Sequence, residues 1–306
     1  MWCARAAGPG RRLSQAHPLL RSIAVIAGVF VTFSAACSAD PGVERSAEAA
    51  STTIVDRAGR TFSATTDPRS IISLVPSATQ AIVALGEQDR LVGRTDFDTA
   101  SAVSSLPSVG GGLEPSVEVL VSLNPDLVIR FFGQADQRTP AQLDQLGVPH
   151  FAVQPERIDD VLSMIDGLGR LLHQGARADS LTVEIEEALR FIRERVTGRT
   201  RPAVAFLLDG TPTWAAGSNT FVGELIQIAG GRNVFDDLER PWAPMSPEAL
   251  VARDIDVVLT PAGSMPGGIP SDVLVLEVSN LTQLPGPRLA EAAEEIARAL
   301  HPTAFP

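Results

Sequence analysis

Residues 116–129 read SVEVLVSLNPDLVI, and residues 246–259 read SPEALVARDIDVVL. Laid over one another without a gap, they share Ser116/Ser246, Glu118/Glu248, Leu120/Leu250, Val121/Val251, Asp126/Asp256 and Val128/Val258. Each copy opens on a Ser suited to capping a helix, continues with apolar residues at helical spacing, and ends in a short apolar run. The sequence therefore predicts, twice, a helix that feeds a buried strand. Between the copies, residues 176–196 place Leu181, Ile185, Ala188, Leu189, Ile192 and Val196 at steps of three and four, with no Pro or Gly. At 1.5 Å per residue this stretch makes a helix roughly 32 Å long. One copy on each side of such a helix predicts two similar lobes joined by it.

Working outward, residues 53–62 with Asp56 and Gly59 read as a short hairpin. Residues 71–75 (IISLV) read as a buried strand stopped by Pro76, with Ser77 as cap of a helix that Gly86 closes. Further strands are expected at 91–93, 127–129 and 149–153. Beyond the long helix, 203–208 and 256–260 read as strands, and 221–229 and 288–300 as helices. Strands alternating with helices predict α/β lobes with mainly parallel sheets.

The chain has 306 residues and is 44% hydrophobic and 20% charged, which excludes disorder and leaves room for two globular cores. All 25 basic residues are Arg, and Tyr is absent. The first 36 residues hold four Arg and no acid, so the remainder carries 21 Arg against 36 acids, a balance of −15. Such a surface repels phosphate backbones, so no nucleic-acid partner is expected.

The amino terminus reads as an export signal. Arg11, Arg12 and Arg21 precede an uncharged run at 22–33 (SIAVIAGVFVTF), followed by Ser34, Ala35, Ala36 and Cys37. The run is too short to span a bilayer comfortably, which takes about 20 residues. Only Cys3 and Cys37 exist, and Cys3 leaves with the signal, so the exported chain can form no internal disulfide. Cys37 after small residues resembles the acylation site of bacterial lipoproteins, although Ser34 stands where these usually carry Leu. Residues 38–51, rich in Ala, Ser and Glu, read as a tether. The expected organisation is signal 1–36, tether 37–52, first lobe 53–175, backbone helix 176–198 and second lobe 199–306.

The motifs in order resemble the class III, helical-backbone substrate-binding proteins of bacterial ABC importers. They are Arg69-Ser70-Ile71-Ile72-Ser73-Leu74-Val75-Pro76-Ser77-Ala78-Thr79, then Ala84-Leu85-Gly86, Leu91-Val92-Gly93 and Leu106-Pro107-Ser108-Val109-Gly110. Glu118 and Leu123-Asn124-Pro125-Asp126-Leu127-Val128 follow, and later Gly230-Gly231-Arg232-Asn233-Val234-Phe235 and Pro241-Trp242 leading to Ser246 and Glu248. The resemblance runs from about residue 53 to the end. It implies two similar Rossmann-like α/β lobes on one long backbone helix, with a ligand cleft between them. It also implies a transported metal chelate (cobalamin, ferric siderophore or haem), with no catalytic residue and no cofactor of the protein's own. The partners it implies are an ABC permease dimer with its ATPase. With the signal and Cys37, it places the protein in the periplasm or cell envelope, anchored to a membrane by lipid.

Trp214 and Trp242 lie in the Pro-rich stretches 211–214 and 240–244, read as loops bordering the cleft, where rigid rings suit a flat chelate. Phe97 follows Gly93 by four residues, where cobalamin binders of the family often carry an aromatic. Phe131 and Phe132 leave the end of the strand at 127–129, and Arg94, Arg130 and Arg240 are cationic candidates for acidic groups on the ligand. The resemblance gives Glu118 and Glu248 the role of docking the two lobes on the two permease subunits. No metal-ligand spacing links His150, His173 and His301, so no bare-metal site is expected, and the lack of Tyr removes the usual phenolate ligand of haem or ferric ion. Cobalamin is the first choice, with a ferric siderophore as the alternative because Asn280 is neutral near where a cobalamin binder carries an acid. A two-lobed exported enzyme is the rival class. It is disfavoured because no G-x-S-x-G, P-loop or strand-bound G-x-G-x-x-G occurs.

Overall fold

Short apolar runs punctuated by Gly, Pro and Asn set the order of elements. The computed structural model describes residues 53–133 and 137–305; the signal, the tether and Cys37 lie outside these. In the first lobe the elements are β1 (Thr53–Val55), β2 (Thr61–Ser63), β3 (Ile71–Ser73), α1 (Pro76–Ala84), β4 (Leu91–Gly93) and α2 (Val117–Ser122). They continue with β5 (Leu127–Phe131), α3 (Thr139–Gln145), β6 (His150–Val153) and α4 (Ile158–Leu171), then the long α5 (Gly175–Val196). The second lobe holds β7 (Ala203–Leu208), β8 (Thr213–Ala216), α6 (Phe221–Ile228), β9 (Arg232–Asn233) and β10 (Trp242–Met245). It closes with α7 (Pro247–Val251), β11 (Val257–Pro261), β12 (Leu274–Val278) and α8 (Leu289–Leu300).

The first-lobe sheet is parallel, in the order β4-β3-β5-β6. All of β3 and all but the last residue of β5 are buried, as helices on both faces of a parallel sheet require. The second-lobe sheet runs β10-β8-β7-β11-β12, with β9 beside β7. Here β7, β11 and β12 are parallel, whereas β8 and β10 are antiparallel. This is the predicted two-lobed α/β fold on one long helix. Among the described residues, no helix is long and apolar enough to cross a membrane.

The repeated residues occupy equivalent places. Ser116 and Ser246 are N-caps, accepting from the backbone N–H of Val119 and Ala249 respectively. Leu120 and Leu250, like Val128 and Val258, are fully buried, whereas Val121 and Val251 are exposed. Asp126 Oδ2 accepts from the N–H groups of Arg69 and Ser70, at 2.8 and 3.0 Å, just before β3. Asp256 Oδ2 accepts from Ala203 N, at 2.7 Å, at the start of β7. Each carboxylate thus pins the strand that pairs with its own.

Ser77 is not the cap of α1. Pro76 takes the first helical position, where its missing N–H costs nothing, and Val75 becomes the N-cap. Helix α4 wedges between β6 and α5. A Cβ at Gly169 would collide with that of Ala178 on α5, so the close crossing of the two helices requires glycine there. Besides α5, a second link joins the lobes. Phe221 N donates to Glu156 O at 2.7 Å, Ile158 N donates to Glu224 Oε2 at 2.8 Å, and Arg157 forms an ion pair with Glu224.

Candidate ligand-binding cleft

In open α/β sheets the crevice beyond the carboxyl ends of the strands is where ligands bind. In the first lobe the chain returns to that end through Gly110, Gly111 and Gly112. A Cβ on Gly112 would collide with the carbonyl oxygen of Leu74, so only glycine lets the turn lie against the end of β3. A Cβ there would also lie 3.5 Å from Phe131 Cε2, and one on Gly111 would lie 4.0 Å from Phe97 Cε2. The two phenylalanines therefore flank one glycine turn. Phe97 is 66% exposed, and the loop beneath it is tied down. Asp98 Oδ2 accepts from Thr95 N and Thr95 Oγ1, and Asp96 Oδ1 accepts from Ser108 Oγ. Phe132 is exposed beyond the strand end.

In the second lobe the two tryptophans lie on strands, not in loops as the proline content suggested. Trp214 sits in β8 and pairs with Pro244, and Trp242 opens β10 and pairs with Ala216. Side chains alternate along a strand, so both indoles project from one face as diagonal cross-strand neighbours. Pro244 is tolerated because β10 is the edge of the sheet. The half-buried Trp242 ring meets Phe206 edge-on, with centroids 6.2 Å apart at 70°. Trp214 is 41% exposed. One ring is held by the core and the other is presented. Arg240, exposed just before β10, makes no side-chain hydrogen bond or ion pair among the described residues.

Arg130 is packed inside the lobe. It is only 4% exposed. Its Nε donates to His150 Nδ1 at 2.8 Å and its Nη1 to Phe131 O at 2.7 Å. Both faces of β5 are covered, so even the penultimate residue of the strand is packed. With Nδ1 accepting, His150 carries its proton on Nε2, 3.2 Å from Asp144 Oδ1. Burial, and then the charges of Arg130 and Arg60, push the His150 pKa down, so the ring stays neutral. Asp144 is held far below the usual carboxylate range, chiefly by its two hydrogen bonds from Arg60. Arg94 is likewise turned inward, with Nη1 donating to Thr95 O at 2.8 Å.

Glu118 and Glu248 stand exposed in the first turns of α2 and α7. The Glu248 carboxyl is shifted down by its own backbone N–H and by the Ser246 hydroxyl. Among the described residues, no group of three or more His, Cys, Asp or Glu is placed to hold a metal ion. The β8–β10 ribbon and the Phe206 support beneath Trp242 escaped the sequence reading. The alternation of Thr213, Trp214, Ala215 and Ala216 was the available signal.

Residues 71–267 match the model of the family described as periplasmic binding protein. A cobalamin-binding protein of Halobacterium salinarum is 30% identical over 265 residues, covering 78% of this chain and 70% of that protein. A vitamin B12-binding protein of Yersinia pestis is 30% identical over 191 residues, covering 62% and 68%. Among solved structures, the apo periplasmic heme-binding protein RhuT from Roseiflexus sp. RS-1 superposes with a TM-score of 0.68 at 28% identity, covering 78% of this chain and 99% of that one. The chain belongs to the periplasmic binding protein family. Within it, the chain resembles the two-lobed, helical-backbone members whose relatives bind metal chelates.

Proposed function

We propose that the protein captures a metal chelate outside the cytoplasm, a corrinoid first, and delivers it to an ABC permease without chemical turnover. The observation that carries this reading is the placement of aromatics: Phe97 and Phe131 flank the glycine turn of one lobe, and Trp214 and Trp242 share one face of a ribbon in the other. Flat rings held on strands and on a tied-down loop suit a large planar ligand at small entropic cost. The names of the cobalamin-binding relatives point the same way. Titration of the protein with cobalamin should quench Trp fluorescence at one-to-one stoichiometry. An absence of quenching or thermal shift with cobalamin and with a panel of ferric chelates removes the reading.

A ferric siderophore is the second reading, favoured by Arg240 beside the ribbon, which has no side-chain partner among the described residues, and by a neutral Asn280, whose Oδ1 accepts from Gln283 Nε2. Competition between cobalamin and a carboxylate or catecholate siderophore decides between them. In this proposal Glu118 and Glu248 dock the lobes on the permease, and Cys37 carries the lipid anchor. Charge reversal at either Glu should leave ligand affinity unchanged and abolish stimulation of the transporter's ATPase, since a like-charge contact at an interface costs several kcal/mol. Cys37→Ser should shift the protein out of the detergent phase, and equal partitioning of both forms removes the anchor.

A further inference from the structure

A groove of about 740 Å³ runs along α5 and is walled by the start of α4, by α6 and by the connection from α5 to β7. None of the aromatic residues named above lines it. Its floor is apolar and well packed, with Leu189, Val196 and Ile228 all buried. Four arginines stand in its wall: Arg190, Arg193, Arg199 and Arg201.

Few of these guanidinium groups are matched to an acid. Elsewhere among the described residues Arg60–Asp144, Arg90–Asp67, Arg253–Asp237, Arg288–Glu291 and Arg298–Glu294 are ion pairs, while Arg94, Arg177 and Arg195 donate to backbone carbonyls instead. In the groove, Arg199 has only the hydroxyl of Thr303, at 3.1 Å, and Arg201 only the carbonyl of Gly231, at 2.9 Å. Arg190 meets Glu187 at 3.7 Å across a solvent-exposed gap. Arg193 has no side-chain hydrogen bond or ion pair among the described residues. The acids in the same wall are Asp159, Glu186 and Glu224, and Glu224 is already engaged by Arg157 and the N–H of Ile158. In a chain with 36 acids for 25 arginines, this concavity gathers four arginines of which Arg190 alone, among the described residues, has a recorded ion pair.

The geometry points to a second binding site in this groove, for an anion bearing two or more phosphate groups. A guanidinium offers a planar fork of donors that matches phosphate oxygens. Arg190 and Arg193 are one helical turn apart on α5, and Arg199 and Arg201 follow its end at Val196, so the cations come from two segments of the wall and suit an anion with more than one phosphate group. The volume falls within the range of small-molecule sites, roughly 300–1,000 Å³. Two sources share this chemistry: a soluble oligophosphate, and the anionic headgroup of the membrane to which a lipid-anchored protein would be tethered.

The experiment titrates the full chain in detergent with inorganic tripolyphosphate at low ionic strength, by calorimetry. It then repeats the titration with dihexanoyl phosphatidylglycerol and dihexanoyl phosphatidylcholine as competitors. Saturable one-to-one binding is expected, weakened about tenfold by Arg193→Gln or by Arg199→Gln and unchanged by Arg170→Gln, an exposed arginine outside the groove. Both groove positions are exposed, so melting temperatures should match the wild type. Displacement by phosphatidylglycerol but not phosphatidylcholine assigns the site to a headgroup, and displacement by neither assigns it to a soluble oligophosphate. No saturable binding of either anion, or an equal loss in Arg170→Gln, overturns the site.

Discussion

The two lobes share one helix–strand unit and differ in what surrounds it. In the first lobe, β3 passes through Pro76 directly into α1. In the second, the equivalent strand β7 turns back as β8 before reaching α6, and β10 later pairs with β8 to complete an antiparallel ribbon. The shared unit holds capping serines, buried Leu and Val, and the strand-pinning aspartates. The added ribbon holds both tryptophans. In the proposed reading, the repeated unit is scaffold and the unrepeated ribbon supplies recognition.

The comparison breaks most readily at the cores. Leu120→Ala and Leu250→Ala each empty a fully buried site and should each cost about 2–5 kcal/mol in urea unfolding. A large cost in one lobe with none in the other would show that the copies do not bear equal weight. Next come the indoles. Trp214→Ala and Trp242→Ala should each weaken chelate binding by about 1–3 kcal/mol in fluorescence titration. Only Trp242→Ala should also lower the melting temperature, because its ring rests on Phe206. Wild-type affinity in both would leave the ribbon without a recognition role.

Smaller effects are expected at the aspartates. Asp126→Ala and Asp256→Ala should each cost about 1 kcal/mol, since each frees backbone N–H groups at the start of a strand. The smallest effect is the pH dependence. His150 in the first lobe and His301 in the second both have pKa values lowered, burial being the main cause. The unfolded chain therefore binds protons that the folded chain excludes, and stability should fall as pH drops below about 6.5, the unfolded histidine value. Unfolding midpoints measured at pH 7 and pH 5 should converge on replacing His150 or His301 with Gln. Unchanged pH dependence in both variants would remove histidine as its source.

Much of the scaffold was legible because it rests on periodicity. The steps of three and four in α5, and the gapless repeat, survive in sequence whatever surrounds them. Helix α4 was not read, because Gly167 and Gly169 weaken its helical signal; Gly169 serves the contact with α5 and Gly167 that with Phe151, which no local rule anticipates. The ribbon was hidden for a related reason. Proline normally argues against a strand, and only the position of β10 at the sheet edge makes Pro244 acceptable. The burial of Arg130 beside His150 was not legible, because it depends on how both faces of β5 are covered. The aromatic candidates could be named from sequence, but their grouping into two pairs depends on Gly112 and on strand register.

Every strand of the first sheet comes from residues 71–153, and every strand of the second from 203–278. The polypeptide crosses from one sheet to the other once, through α5. Neither sheet borrows a strand from the other side of that crossing. A chain threaded across a membrane amino end first can therefore complete its leading sheet while the trailing half is still in transit. No strand of that leading sheet has to wait for a segment that has yet to emerge.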